Sequence, residues 1–282
     1  MARGSYFDDR SMIRRVHREQ VVSLGGPRAL LMQAAHPVAF AGFFASTRAL
    51  EDPYPRLQRT AAVLETIVFG RRRDADRATA RVRRIHSRMR GVLQEPAGPF
   101  PAGTPWAADD PALLLWIVAT LAHSSLLVYE RYVTALAPQQ RDRYWREYRV
   151  LGELFGLQGS QMPGSWEELT DYLQAMLAGD ELWVGPEARE LGVQIVLHPP
   201  VPLAARPLLE LANFVTVGLL PARLRRQYGL RWDPLRGLAH WTGAQYTRRV
   251  LVPVLPRRLR LRRAAPPAPL ASSGRQTRAA RG

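Results

Sequence analysis

Apolar residues recur at a spacing near 3.6 along almost the whole chain, and proline and glycine punctuate the runs instead of alternating with strand-type residues. That pattern predicts an all-α protein, a single large helical bundle. A first helix is expected over 11–23, followed by a break at Gly25-Gly26-Pro27. Pro27 suits the first turn of the next helix, where its missing N–H needs no partner. This second helix runs to about Leu50 with a kink near Pro37. A third spans Pro55 to Gly70, a C-terminal glycine, and a fourth opens at Asp74 or Asp76 and ends near Gly91-Val92. A Pro/Gly/Ala loop covers 95–107. Asp109-Asp110-Pro111 caps a long helix reaching about Leu136, and Pro138 opens the next. Ser165-Trp166-Glu167-Glu168 matches a capping box and starts a helix at Trp166. A shorter helix begins at Pro186, a proline-rich turn covers 198–202, and helices follow over 203–227 and 233–248. No strand pattern and no internal repeat is visible.

Two stretches, Ala29–Thr47 and Pro111–Tyr129, run nineteen residues each without a formal charge. A membrane span needs ~20 apolar residues. Gln33, His36 and Pro37 in the first, and Thr120, His123, Ser124 and Ser125 in the second, are costly in lipid. The reading is therefore two central helices buried on all sides of a bundle. From Ala264 the composition collapses to Ala, Pro, Ser, Gly and Arg, which predicts a disordered tail. The expected organisation is one helical domain over 1–263 and a tail over 264–282. The polar N-terminus carries no apolar signal core, so a cytoplasmic location is expected.

With 46% apolar residues the chain can bury a sizeable core, and it has no cysteine. Disulfide scaffolds, thiolate metal sites, iron–sulfur clusters and thiolate-ligated haem are excluded. The net charge of +16 comes entirely from arginine, with no lysine, a pattern that a GC-rich coding sequence produces. Aromatic residues fall within apolar runs instead of interleaving a basic patch, which argues against nucleic acid. Arg248–Arg263 mixes Val and Leu with arginines and suits an anionic membrane surface, with peripheral association.

The chemistry concentrates between residues 56 and 86. Arg56, Arg59 and Thr60 stand at i, i+3 and i+4, within about a 100° arc of one helix. On the following helix, Val82, Ile85, Met89 and Leu93 form an inward stripe that includes His86. A neutral imidazole in an apolar wall is a good metal ligand. On residue type alone, a hydrogen-bonded core histidine is the commoner explanation. His36, before Pro37, is placed to hydrogen-bond a carbonyl freed at the kink, and His123 to make a core hydrogen bond; His17, His198 and His240 have nothing to mark them. The chain has no HExxH or Glu-x-x-His pair, nucleophile elbow, Walker loop or dinucleotide fingerprint, so the common hydrolase, kinase and dehydrogenase signals are missing.

Several motifs occur in an order and spacing that resemble the MpaB/rubber-oxygenase (latex-clearing-protein-like) family of all-helical proteins. They are Gly25-Gly26-Pro27-Arg28-Ala29-Leu30-Leu31-Met32-Gln33-Ala34-Ala35-His36-Pro37, Asp52-Pro53, Arg56-x-x-Arg59-Thr60, Val68-Phe69-Gly70, Val82-Arg83-Arg84-Ile85-His86, Arg90-Gly91, Asp109-x-Pro111 through Trp116, Tyr144-Trp145-Arg146-Glu147 and Leu219-Leu220-Pro221.

The resemblance implies a haem b-dependent oxygenase. It implies His86 as the iron ligand and Arg56, Arg59 and Thr60 on the distal side, with Arg56 and Thr60 also holding the cofactor. The implied reaction is oxidative C=C cleavage of a small hydrophobic substrate, isoprenoid or lipid, with O2. Two departures stand out. Arg59 replaces the family's lysine, and a guanidinium stays protonated and is a poor ligand. A Trp-Val-His-Ala-Thr pattern of related members reads Trp116-Ile117-Val118-Ala119-Thr120, so Val118 stands where they carry histidine. The alternative is a haem-free helical protein of the same family that binds lipid or another ligand, or docks on a membrane surface.

Overall fold

The computed structural model describes residues 4–44 and 53–262. The expected end of the second helix near Leu50, Asp52 of the Asp-Pro motif and the expected tail lie outside the described residues. The helices are α1 (Met12–His17), α2 (Gly25–Ala34), α3 (Pro37–Phe44), α4 (Tyr54–Phe69), α5 (Arg72–His86), α6 (Pro111–Tyr132), α7 (Pro138–Phe155), α8 (Trp166–Ala178), α9 (Pro186–Leu197), α10 (Arg206–Leu219), α11 (Ala222–Gln227) and α12 (Pro234–Tyr246). Among the described residues the protein is all-α apart from one small hairpin, described below.

The core is built on α6 packed against α2. Asp110 starts α6: its carboxylate accepts from the Ala112 and Leu113 amides at 2.8 and 3.2 Å, and Pro111 occupies the first turn. The helix is long and apolar enough to cross a membrane, but most of it is buried within the bundle, as befits a core helix. Trp116, Ala119, Ala122, Leu126 and Val128 are fully enclosed. α2 approaches closely because Gly25 has no Cβ; one there would stand 3.0 Å from the Ser124 carbonyl carbon and oxygen. The Gly-Gly-Pro segment is therefore not the expected break. A 3-10 turn over Gln20–Leu24 leads straight into α2, and the glycine serves helix contact.

α7 covers the other side with Tyr144, Trp145, Tyr148 and Leu151 buried. It ends on Gly156, whose φ of 112° favours glycine; the Gly156 and Leu157 amides donate to Glu153 and Gly152 carbonyls, both at 3.0 Å. Ser165 caps α8 by accepting from the Glu168 amide at 3.1 Å. Glu168 in turn accepts from the Gly164 amide at 2.7 Å, one residue before the position a regular capping box uses.

Three further differences from the sequence expectation have local causes. The second helix does not kink at Pro37 but breaks there. The His36 imidazole accepts weakly from the Ala39 amide (3.5 Å), capping α3 instead of bonding a freed carbonyl. The fourth helix stops at His86, and the chain turns into an antiparallel hairpin, β1 (Arg90–Val92) with β2 (Pro105–Ala107), pairing Gly91 with Trp106. Finally, α12 continues through a π-turn at Thr247–Leu251 to Val254, and the chain beyond is strapped down: the Arg262 amide donates to Arg18 O at 2.8 Å, and Arg260 pairs with buried Glu19 at 3.1 Å.

Candidate functional site

α4 and α5 form a hairpin about the turn at Gly70. Its turn end is anchored in the core. Ile67 and Val68 are buried, and Arg14 donates to the Val68 and Phe69 carbonyls at 2.9 and 3.2 Å. On α5 the buried stripe is Ala75, Ala78 and Thr79, continued by half-buried Val82 and His86 at helical spacing. Ile85 points the other way and is 49% exposed. Met89 and Leu93 lie beyond the helix end, and Leu93 packs in the small core beneath the hairpin with Val38 and Trp106. The expected inward stripe through Ile85 is thus corrected; His86 is on the inner side without it.

Arg56 stands some fourteen residues before Gly70 and His86 some sixteen after it, so an antiparallel pair at about 1.5 Å per residue brings them to one height at the open end. They are close enough to interact. Burial lowers the His86 pKa first, the Arg56 charge lowers it further, and Asp109 opposes both. The imidazole is therefore neutral, and it makes no side-chain hydrogen bond to another described residue.

Arg56 is half-buried, and burial followed by the neighbouring Arg59 charge lowers its own pKa. Its guanidinium donates to the Phe43 carbonyl and lies 4.1 Å from the centroid of the Phe43 ring. Thr60 lies on the same side of α4 one turn on, exposed, its hydroxyl donating to Arg56 O at 3.1 Å. Arg59 is exposed. The structure thus brings Arg56 and His86 together, with Thr60 beside them and Arg59 on the outer edge.

Next to Arg56, on the far side of Phe43 and Leu57, lies an apolar cavity of about 60 Å³, and neither Arg56 nor His86 is among its walls. Its walls come from Leu30 and Gln33 of α2, Phe40 and Phe43 of α3, Leu57 of α4, Ile117 of α6 and Ile195 and Val196 of α9. Gln33 is the polar member, and its amide donates to Thr120 Oγ1 at 3.0 Å. No residue type in the sequence marks Phe43 or this cavity; the only hint is the uncharged run through α2 and α3.

Of the other histidines, His198 is exposed and the rest lie away from this pair. The His36 ring lies tilted against Phe100, with centroids 5.5 Å apart. His17 and His240 meet Tyr144 and Tyr132 hydroxyls at 3.2 and 2.9 Å. His123 lies parallel to Trp166 at 5.8 Å, but its buried Nδ1 lacks the expected core hydrogen bond. Burial, then Arg28, takes its pKa down to about 3. Val118 is buried apolar wall.

Among the described residues no three His, Asp or Glu side chains converge on a metal position. A haem iron asks less of the protein: one neutral imidazole, an apolar enclosure and a polar group opposite. His86 supplies an uncommitted imidazole and Arg56 a cation within its electrostatic reach, which suits that donor set, while the apolar cavity adjoins Arg56 through Phe43 and Leu57 and His86 is not among its walls. The cavity volume is well below the ~300–1,000 Å³ of ordinary ligand pockets, so this arrangement has no room in it for a macrocycle. Residues 45–52, which join α3 to α4, lie outside the described residues.

A family model described as ER-bound oxygenase mpaB/B'/Rubber oxygenase, catalytic domain, matches residues 14–271. No curated protein and no solved structure matches the chain.

Proposed function

The chain belongs to the mpaB/rubber oxygenase catalytic-domain family, and we propose that it is a haem b-dependent oxygenase acting on a small hydrophobic substrate of isoprenoid or lipid character. The observation that carries this reading is the meeting of an uncommitted, neutral His86 with Arg56 across the open end of the α4–α5 hairpin. When bound, the haem would supply the oxidative chemistry with O2, which the family resemblance directs at a C=C bond.

His86 would hold the iron through an imidazole nitrogen. Its lowered pKa keeps the lone pair available at a pH where an ordinary histidine is protonated. Arg56 keeps a positive charge fixed over the same space, oriented by the Phe43 carbonyl and ring. A fixed cation in a partly buried site favours negative charge that develops beside it, at little reorganisation cost. The Thr60 hydroxyl needs only a rotation away from Arg56 O to become a second donor. Arg59 adds the positive potential of a guanidinium from the rim, where a lysine could have offered an amine. The cavity walls would take a hydrocarbon chain and keep water out, while Gln33 stays tied to Thr120.

The alternative, haem-free binding of a hydrophobic ligand, rests on the same cavity being apolar and small. Expression with haem supplementation separates the two. The oxygenase reading expects a Soret band at about one haem per chain, lost in His86→Ala and partly restored by added imidazole. Wild-type protein that takes up no haem, or a band that survives the loss of His86, overturns it.

A further inference from the structure

Surface helices turn apolar residues inward and polar residues outward. α12 does not. Its inner side is His240 and Ala244, both buried. Its outer side carries Leu235, Leu238, Trp241 and Tyr246, exposed by 79%, 60%, 53% and 55%. At about 100° per residue these four fall in roughly a 140° arc opposite the buried pair. Val250 and Val254 extend the exposed apolar row past the π-turn. The neighbouring α10 repeats the pattern at its start with Leu208 and Leu211, exposed by 70% and 59%, and the 3-10 turn that leads into it adds Leu203, exposed by 73%. Single exposed leucines are ordinary, but apolar rows on two adjacent helices mark an interaction surface.

The charge around this surface selects the partner. From residue 203 to 262 the chain carries twelve arginines against Glu210 and Asp233 alone. Asp233 is already engaged, capping α12 and pairing with Arg236. Arg206, Arg249, Arg257 and Arg258 are exposed and form no ion pair among the described residues. The Glu19–Arg260 pair and the Arg262–Arg18 backbone bond hold the last of these arginines against the body of the protein. A second copy of the chain would set this cationic surface against itself. A nucleic acid would call for stacking aromatics in a basic groove, where leucines predominate instead.

We infer that the outer faces of α10 and α12 dock the protein on an anionic lipid surface. The leucines and Trp241 enter the interface, and the arginines lie at the level of the phosphates. The sequence pointed to Arg248–Arg263 alone; the structure moves the apolar part of the surface upstream, to residues 203–254. The inference does not depend on haem.

The test is flotation of the full chain with vesicles containing phosphatidylglycerol and with pure phosphatidylcholine vesicles. The expected result is binding to the first, weakened by salt, and little to the second. The triple variant Leu208→Ser/Leu238→Ser/Trp241→Ser should lose about tenfold or more of the partitioning. All three side chains are exposed, so its melting curve should match the wild type. A second variant, Arg249→Glu/Arg257→Glu/Arg258→Glu, should lose anionic-vesicle binding through charge alone. No flotation with phosphatidylglycerol at low salt overturns the inference, as does wild-type binding by either variant. So does a wild-type dimer that the leucine variant converts to monomer, which would make the face a self-interface.

Discussion

Arg28 is 2% exposed, and no carboxylate pairs with it among the described residues. It donates to Leu219 O at the end of α10 (2.8 Å) and to Ser124 Oγ on α6 (2.6 Å), so it ties α2, α6 and α10 together. Burial takes its pKa down from the ordinary guanidinium range to about 9, which at about 1.4 kcal/mol per pH unit is roughly 5 kcal/mol of penalty on the charged form. Two hydrogen bonds from a charged donor return about 1.5–3 kcal/mol each, so the arginine is close to neutral overall. Arg28→Met removes both contributions and leaves Leu219 O as the main unsatisfied group, because the Ser124 hydroxyl can turn to its own helix backbone. The expected loss is about 1–3 kcal/mol. Arg28→Ala adds a cavity and should lose a further ~2–4 kcal/mol. Urea denaturation at neutral pH measures both. The pH dependence checks the cause. Above about 9 the unfolded arginine still binds a proton that the folded one has released, so wild-type stability gains on the Met variant as pH rises through 9. Below about 9 both states are protonated and the difference is flat. Comparing the two proteins at each pH cancels the tyrosines, which titrate in both. A loss above ~5 kcal/mol in Arg28→Met, or a wild-type-minus-variant difference that stays flat up to pH 10, would refute the assignment of an unpaired, desolvated charge.

Other outcomes follow from single contacts. Arg56→Gln removes a positive charge that lowers the His86 pKa, so that pKa rises and acid release of haem from the loaded protein should move to higher pH; a midpoint that stays or falls contradicts their proximity. Gly25→Val places side-chain carbons against the Ser124 carbonyl and should destabilise by about 2–4 kcal/mol in chemical denaturation, whereas Gly26→Ala, with open space around it, should change little. His17 and His123, lowered to about 4 and about 3 by burial, stay neutral in the fold while the unfolded chain takes up protons below its ordinary 6.5. Stability should therefore fall as pH drops from about 6.5 towards 4, and His123→Phe should flatten that acid limb in a thermal-melt series.

The parts of the fold that local chemistry fixes were readable in the sequence. Asp110-Pro111, Ser165 and Pro138 each carry their helix start in their own side chains. Where tertiary contact decides, local reading failed. Gly25 looked like punctuation, but its missing Cβ answers to Ser124, almost a hundred residues away. The hairpin at Arg90–Val92 is too short for any alternation to register. Ile85 entered the inward stripe only because Met89 and Leu93 were counted in a helix that ends at His86. On α12 both sides are apolar, and periodicity cannot say which one meets the core. Of the candidate site, the facing of Arg56 and His86 follows from near-equal counting on either side of Gly70. Phe43, which orients Arg56, and the cavity carry no residue signature at all.

The α4–α5 hairpin shows why the site sits where it does. Near Gly70 its inner residues are sealed by α1 and the core, and Arg14 holds the turn through two carbonyls. Away from the turn the same inner side carries Arg56, Thr60 and His86, which range from half-buried to exposed. The core is supplied elsewhere, by α2, α6 and α7, so this end can carry polar groups and yield to a ligand without threatening the fold. Arg59 fits that division. It is exposed, so an arginine at this position leaves the hairpin's packing as it is. Arg56, held by Phe43, and the cavity walls are by contrast fixed by contacts that the bundle itself provides, so under the proposed function selectivity is assigned to them.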